Sequence, residues 1–132
     1  MRPLKTLLLS LSVCLWLCGC NSHMYAAEAR SYTAALKQEL ERLGVCQTQS
    51  SCPQVFWEAG GFELGPIKAG GVYLNVYRVA DPAVAQALSE RCKQLHAHAP
   101  QVSIELVVYS TPHPENSPSE KPVVIENVRF SS

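Results

Sequence analysis

The residues best suited to chemistry are a cysteine and a histidine four positions apart, Cys92 and His96. On a helix their side chains share one face, which suits a metal site or an activated thiol. Cys46 and Cys52 could complete the ligand set of a zinc ion. The spacing matches none of the established zinc patterns, and disulfide formation competes for the same sulfurs. We therefore expect no metal and no other cofactor.

Acidic side chains are a second candidate for catalysis. Glutamates recur in the predicted strands, at Glu58, Glu63, Glu105 and Glu126. Two of them could form a paired-carboxylate site, but such alternation is more typical of the solvent-facing side of a sheet. The sequence contains no Gly-x-Ser-x-Gly elbow and no His-Glu-x-x-His helix. We predict that the protein is not an enzyme, with a thiol- or metal-dependent enzyme using Cys92 and His96 as the less favoured alternative.

Two helices are predicted to position these residues. The segment 26–43 contains neither glycine nor proline, repeats apolar residues at helical spacing, and is followed by Gly44, typical of a helix end. We expect this helix to pack on the protein's own sheet, because its polar face carries charges of both signs. The alternative is a helix that lies on a bilayer. The second helix begins at Asp81-Pro82, a cap residue and the proline favoured at the first helical position. It ends at Pro100 and carries Cys92 on its apolar stripe.

Short strands punctuated by glycine follow the first helix. We predict strands over 55–57, 62–64 and 72–79 as a meander. Gly60-Gly61 and Gly70-Gly71 lie between them and would supply the positive φ angles of tight turns. These glycine pairs lack the helix and the lysine of a phosphate-binding loop. Because Pro66 cannot donate a hydrogen bond to the ladder, we predict that the middle strand lies at an edge of the sheet or contains a bulge.

The last part of the chain completes the sheet. Alternation predicts a strand over 102–109, and a second one over 123–130 is bulged near Glu126-Asn127. Between them, 111–122 is rich in proline, serine and glutamate, and we predict a mobile loop with a solvated His113. A strand, a helix and a strand in succession indicate a crossover within one sheet. The predicted fold class is α+β: two helices packed on one face of a four- or five-stranded mixed β-sheet, an open two-layer sandwich.

Alternation within two of the strands predicts a contact surface. If Leu74 and Val76 face the core, the opposite side of the sheet presents Tyr73, Asn75, Tyr77, Glu105 and Tyr109. Tyrosines among small polar residues are typical of contact surfaces, because tyrosine offers a large area with a polar tip. The same pattern also fits a half-solvated sheet of good strand formers. We predict that these five residues bind a partner.

The first twenty residues predict where the protein resides. Arg2 and Lys5 precede an apolar run over 7–17, shorter than the roughly twenty residues of a spanning helix, as in a secretory signal. Leu17-Cys18-Gly19-Cys20 resembles the lipobox of bacterial lipoproteins, although Cys18 replaces the small residue usual there. In that family signal peptidase II cleaves before the cysteine. The resemblance implies a signal peptide over 1–19 and an acyl anchor, such as palmitate, on Cys20.

The resemblance also implies a compartment. Asn21 occupies the position where an aspartate would retain a lipoprotein in the inner membrane, so the outer membrane, facing the periplasm, is favoured. The periplasmic face of the inner membrane and the cell membrane are the alternatives. An ordinary secreted protein or an uncleaved anchor would also begin with such an apolar run.

Cleavage would leave a single small domain over 20–132, in which three cysteines carry no lipid. In an oxidising compartment two of the three can pair. Cys46 and Cys52 enclose a short polar loop, so we predict a disulfide between them and a buried free thiol at Cys92. Other pairings stay open, because sequence does not determine connectivity.

Charge argues against nucleic acid as a partner. Removing Arg2 and Lys5 from the eleven basic residues leaves nine against eleven acidic ones, a formal charge of −2. No basic cluster remains to displace counterions from phosphates. We predict a membrane-anchored envelope lipoprotein that acts as a non-catalytic binding or assembly module. It would contact the bilayer through acylated Cys20 and bind an envelope protein; an envelope inhibitor or immunity-type protein is the alternative.

Overall fold

The computed structural model describes residues 20–21, 24–46, 48 and 52–131. The predicted signal peptide over 1–19, with the first three residues of the lipobox, lies outside these residues. The described elements are, in chain order, β1 (Cys20–Asn21), α1 (Ala26–Arg42), β2 (Gln54–Leu64), β3 (Ile67–Tyr77), α2 (Pro82–His98), β4 (Ser103–Tyr109) and β5 (Val124–Phe130). Neither of these two helices is long and apolar enough to cross a membrane.

The strands of the described chain form one mixed sheet, in which their spatial order equals their order in sequence. β2 is antiparallel to β1 and to β3, and β4 is antiparallel to β5. β3 and β4 are parallel neighbours joined through α2, as parallel pairing requires. Both helices contribute to a single core on one side of the sheet. The predicted fold class, α+β with two helices on one face of an open mixed sheet, is confirmed.

The core lies between the helices and one face of β3 and β4, which we call the helix face. Burial in β4 alternates strictly along the strand, so every second side chain points under the helices. The side chains that are entirely buried come from both layers, among them Leu36, Leu88, Leu74, Ile104 and Leu106. Because these are aliphatic side chains without polar atoms, the helix face needs no hydrogen-bond partners of its own.

The ends of both helices agree with their predicted positions to within one or two residues. The side chain of Asp81 accepts a hydrogen bond of 2.9 Å from the backbone N–H of Ala83, and Pro82 occupies the first turn of α2. Gly44, which follows α1, has a φ of +73°. Glycine adopts this left-handed conformation without the steric cost that a Cβ imposes.

The meander of short strands is not what the structure contains. β2 and β3 are a single long hairpin, and its turn lies at Gly65-Pro66 rather than at either glycine pair. Gly60-Gly61 and Gly70-Gly71 face each other in the middle of the ladder as Cα partners. The prediction that both pairs form turns is therefore wrong.

Close approach of a neighbouring backbone explains two of the glycines in the ladder, Gly70 and Gly71. A Cβ on Gly70, whose φ is +126°, would lie 2.2 Å from the carbonyl oxygen of Gly60. A Cβ on Gly71 would lie 2.3 Å from the carbonyl oxygen of Ser103. Both distances are far below van der Waals contact, so these two positions exclude any side chain. Glycine in a strand interior often marks such an approach.

The segment 111–122 is a loop, as predicted, and much of it is exposed, but parts of it fold back on the sheet and His113 is not simply solvated. Thr111 is buried; its carbonyl accepts a 3.1 Å hydrogen bond from the backbone N–H of Arg78, and its hydroxyl accepts another of 3.1 Å from that of Val123. The side-chain amide of Asn116 donates to Gln54 over 3.3 Å. These contacts tie the segment to the beginning of β2 and the end of β3.

The predicted bulge of the last strand lies one position from Glu126-Asn127. Val108 is opposite Glu126, whereas Tyr109 is opposite Val124. Ile125 is therefore the extra residue of β5. The bulge occurs next to the point where the chain enters from the folded-back segment, and it re-aims the side chains at this end of the sheet.

Candidate functional site

The cysteines are arranged as the sequence predicts. Cys46 and Cys52 form a disulfide with a Cα–Cα distance of 4.3 Å. Cys92 is a free thiol and is fully buried in the core. Burial raises the pKa of the Cys92 thiol to about 12, against a smaller opposite effect of Arg91. A protonated, inaccessible sulfur is a poor nucleophile and a poor metal ligand.

His96 lies near Cys92 on α2 but packs in a different environment. Its ring is stacked on that of Phe130 with 5.9 Å between centroids. Its Nε2 is buried without a hydrogen-bond partner among the described residues. The described part of the chain contains no group of three or more histidine, cysteine or acidic side chains that could hold a metal ion. Cys92 and His96 therefore do not form an exposed pair, because the sulfur of Cys92 is fully buried.

The five predicted partner-binding residues lie on the face of the sheet opposite the helices, which we call the open face. They alternate with the buried aliphatic residues of β3 and β4, and they are Tyr73, Asn75, Tyr77, Glu105 and Tyr109. Their exposure differs widely: Tyr73 is 44% exposed, whereas Tyr77 is only 9% exposed. Tyr77 lies on the predicted side of the sheet but is not exposed there, because neighbouring rings cover it.

The rings that cover Tyr77 form an aromatic cluster at one end of the open face, composed of Phe56, Tyr77, Tyr109 and His113. Tyr77 and Tyr109 are stacked with 4.5 Å between centroids and an interplanar angle of 6°. The ring centroid of His113 lies 4.5 Å from that of Phe56 and 4.9 Å from that of Tyr77. Phe56 meets Tyr77 edge to face at 5.7 Å. These separations are those of favourable aromatic pairs.

Two members of the aromatic cluster were missed by sequence reasoning. Phe56 stays 40% exposed on β2, and alternation along β2 would have placed it on the same side as Glu58. His113 had no such signal. Its position depends on the segment after β4 folding back, which no local pattern of residues indicates.

Its place in the aromatic cluster raises the pKa of the Tyr77 hydroxyl. The pKa of Tyr77 is raised by burial first, then by its charge interaction and hydrogen bond with Tyr109, and by the charge of Glu58. Tyr77 is therefore neutral at physiological pH and able to donate a hydrogen bond. On the other side, Nδ1 of His113 accepts a hydrogen bond of 3.2 Å from the backbone N–H of Glu115.

A charged row crosses the open face one step away from the aromatic cluster. Its members are successive Cα partners across four strands: Glu58, Tyr73, Glu105 and Arg129. Two carboxylates thus flank the most exposed tyrosine of the five, with one arginine at the end of the row. This arrangement favours a ligand with cationic groups.

A groove lies between α1 and β2. The groove has a volume of about 500 Å³ and is lined in part by Lys37, Glu41, the disulfide and Phe56. Phe56 therefore borders both the groove and the aromatic cluster.

Comparison with protein-family models, characterised proteins and solved structures gives no match to this chain.

Proposed function

We propose that this protein is a bacterial envelope lipoprotein whose folded domain is a non-catalytic binding or assembly module. Acylated Cys20 would anchor it to the outer membrane, facing the periplasm. The open face, with its aromatic cluster and its charged row, would bind another envelope protein. The observation that carries the proposal is that the sheet leaves Tyr73 and Phe56 exposed on a face that the helices do not cover.

The chemistry of the open face indicates what kind of segment it would bind. Phe56 and Tyr109 offer apolar area with limited rotamer freedom, which suits aromatic anchors at an interface. Glu58 and Glu105 flank Tyr73 and would pair with lysine or arginine. We therefore infer a partner segment that presents apolar side chains next to basic ones.

An inhibitor or immunity-type protein would use the same surface, so the class of partner distinguishes the two functions. If the bound protein is an enzyme whose activity falls on binding, the inhibitor function applies. A thiol-dependent enzyme receives no support from the geometry, because Cys92 is fully buried and its raised pKa keeps it protonated.

Site-specific photocrosslinking in living cells tests the binding function. A photoreactive amino acid at Tyr73 should give one adduct of discrete size. The same amino acid at Gln86, exposed on α2 on the other side of the molecule, is the matched control. Glu105→Lys, added to the Tyr73 probe, should weaken the adduct by reversing one charge of the row. Equal adducts from both positions, or an adduct unaffected by Glu105→Lys, would contradict binding at the open face.

The anchor is tested separately. Cys20→Ser should abolish labelling by a fatty-acid analogue and leave uncleaved precursor, because the acylated residue is missing. The control is Cys92→Ser, which should retain acyl labelling if it is produced at all. Normal maturation and release of the Cys20→Ser protein would show that the lipoprotein interpretation is wrong.

A further inference from the structure

The β2–β3 hairpin ends in exposed apolar side chains that are remote from the aromatic cluster. Phe62 is 42% exposed, Leu64 is 51% exposed and Ile67 is 56% exposed. Leu64 and Ile67 are Cα partners, and Phe62 precedes Leu64 by two positions, so the three belong to one side of the hairpin. We call these three residues the apolar tip. Scattered exposed apolar residues are common, but three contiguous ones at the end of a hairpin form a patch.

Strand β1 places the predicted acylation site beside the apolar tip. Cys20 is the Cα partner of Phe62, and Asn21 is that of Gly61. The backbone that would carry the acyl chains is therefore hydrogen-bonded to the hairpin, with no tether between them. From Phe62 to the turn at Gly65 the chain advances about 10 Å, at about 3.3 Å per residue. The apolar faces of interfacial amphipathic helices enter a bilayer to about 5–10 Å, which is a comparable depth.

The charge of this segment neither requires nor excludes a particular lipid. Over residues 62–68 the formal charges of Glu63 and Lys68 cancel. A bilayer of uncharged headgroups is therefore a sufficient partner, and hydrophobic burial would supply the attraction. An acyl chain of a bacterial lipoprotein enters the same layer that the three apolar side chains would reach.

We propose that the apolar tip inserts into the bilayer next to acylated Cys20, which gives the domain a second point of attachment and a fixed orientation. This inference rests on the acylation of Cys20 in the proposed function. Its consequence concerns the binding surface, because the aromatic cluster lies at the other end of the same strands. From Leu64 to Phe56 the strand spans about 26 Å, at about 3.3 Å per residue. The hairpin therefore holds the aromatic cluster clear of the lipid headgroups.

Tryptophan fluorescence of the acylated, mature protein (residues 20–132) in phosphatidylcholine vesicles tests insertion, since Trp57 is its one native tryptophan. In a Trp57→Phe background, Leu64→Trp places a reporter in the apolar tip. Tyr73→Trp, in the same background, is the matched control, because it is exposed on the same hairpin but distant from the tip. We expect a blue-shifted emission for Leu64→Trp and several-fold stronger quenching by brominated phosphatidylcholine than for Tyr73→Trp. Phe62→Trp serves as the second reporter if Leu64→Trp does not fold.

Mass spectrometry of the same samples separates this inference from the proposed function. If Cys20 carries acyl chains and the tip reporter is quenched no more than Tyr73→Trp, the insertion of the tip is wrong and the anchor stands. If Cys20 carries no acyl chain, both the anchor and the insertion are wrong. Ile67→Ser, added to the Leu64→Trp reporter, should reduce its quenching while leaving acylation unchanged. Unaltered quenching in that variant would also contradict insertion of the tip.

Discussion

The two faces of the central sheet alternate along the same strands, yet they differ in composition and in what covers them. On the helix face, β3 and β4 present aliphatic side chains such as Leu74 and Leu106, which are entirely buried. On the open face they present tyrosines and polar side chains, and coverage is uneven: Tyr77 lies under neighbouring rings while Tyr73 is exposed. The comparison shows that alternation determines which side a residue faces, whereas its exposure depends on what packs there.

The helix face should dominate stability. Leu106→Ala removes buried methyl groups and leaves a cavity beneath the helices, so we expect a loss of about 2–5 kcal/mol in the free energy of unfolding. Val107→Ala, next in sequence and on the open face, should cost well under half as much. Urea denaturation monitored by circular dichroism measures both. Similar losses for the two variants would mean that the faces do not differ in packing.

The Cys92 thiol, buried in the core between α2 and the helix face, should make stability fall at alkaline pH. Burial raises the pKa of Cys92 from its ordinary value near 9 to about 12. The stability that the protonated Cys92 thiol contributes is fully present below the unfolded-state pKa. It is lost as the pH rises towards the folded-state pKa. Between these two values the free energy of unfolding should fall by up to about 1.4 kcal/mol per pH unit.

Cys92→Ala provides the control for this pH dependence. The variant keeps every tyrosine, so subtracting its urea-unfolding profile from that of the wild type isolates the thiol. Between pH 9 and 11 we expect the free energy of unfolding to fall more steeply with pH in the wild type than in Cys92→Ala. Identical slopes, or rapid alkylation of Cys92 in the native protein at neutral pH, would show that the thiol is accessible and that the helix face is not closed there.

The open face should tolerate substitution at one glycine and not at its partner in the ladder. In Gly71→Ala the new Cβ would meet Ser103, and we expect a loss of about 1–3 kcal/mol, typical of overpacking. In Gly60→Ala the Cβ meets nothing within 4 Å, so this Cα partner of Gly71 is the matched control. Thermal unfolding of the two variants gives the comparison. Equal stabilities would mean that β3 and β4 do not approach as closely as described.

The smallest effect on stability, and the one most specific to function, should come from Tyr73→Ala. Tyr73 is exposed, so its removal should change the free energy of unfolding by less than about 0.5 kcal/mol. If the open face binds a partner, the same change should weaken binding by about 1–2 kcal/mol, measured by titration calorimetry with the crosslinked protein once identified. Unaltered affinity would restrict the contact surface to the aromatic cluster or the groove beside the disulfide.

Local interactions explain what could be predicted from the sequence. The second helix begins at Asp81-Pro82 because a cap side chain and a proline act within one turn. The disulfide joins Cys46 and Cys52, which are six positions apart, so their encounter requires little loop closure. The two sides of β3 and β4 follow from alternation, which is a property of any extended strand. These features yielded both helices, the free thiol, the fold class and the position of the five open-face residues.

Only the tertiary structure decided which distant segments meet. The glycine pairs are compatible with turns when read locally, but in the sheet the backbone approaches closely at Gly70, against Gly60, and at Gly71, against Ser103. His113 lies in a segment whose composition predicts solvation, yet it packs on Phe56, far from it in sequence. The exposure of Tyr77 depends on that same contact. Sequence patterns report the preferences of neighbouring residues, whereas these contacts arise from the register of the strands and the path of the chain around them.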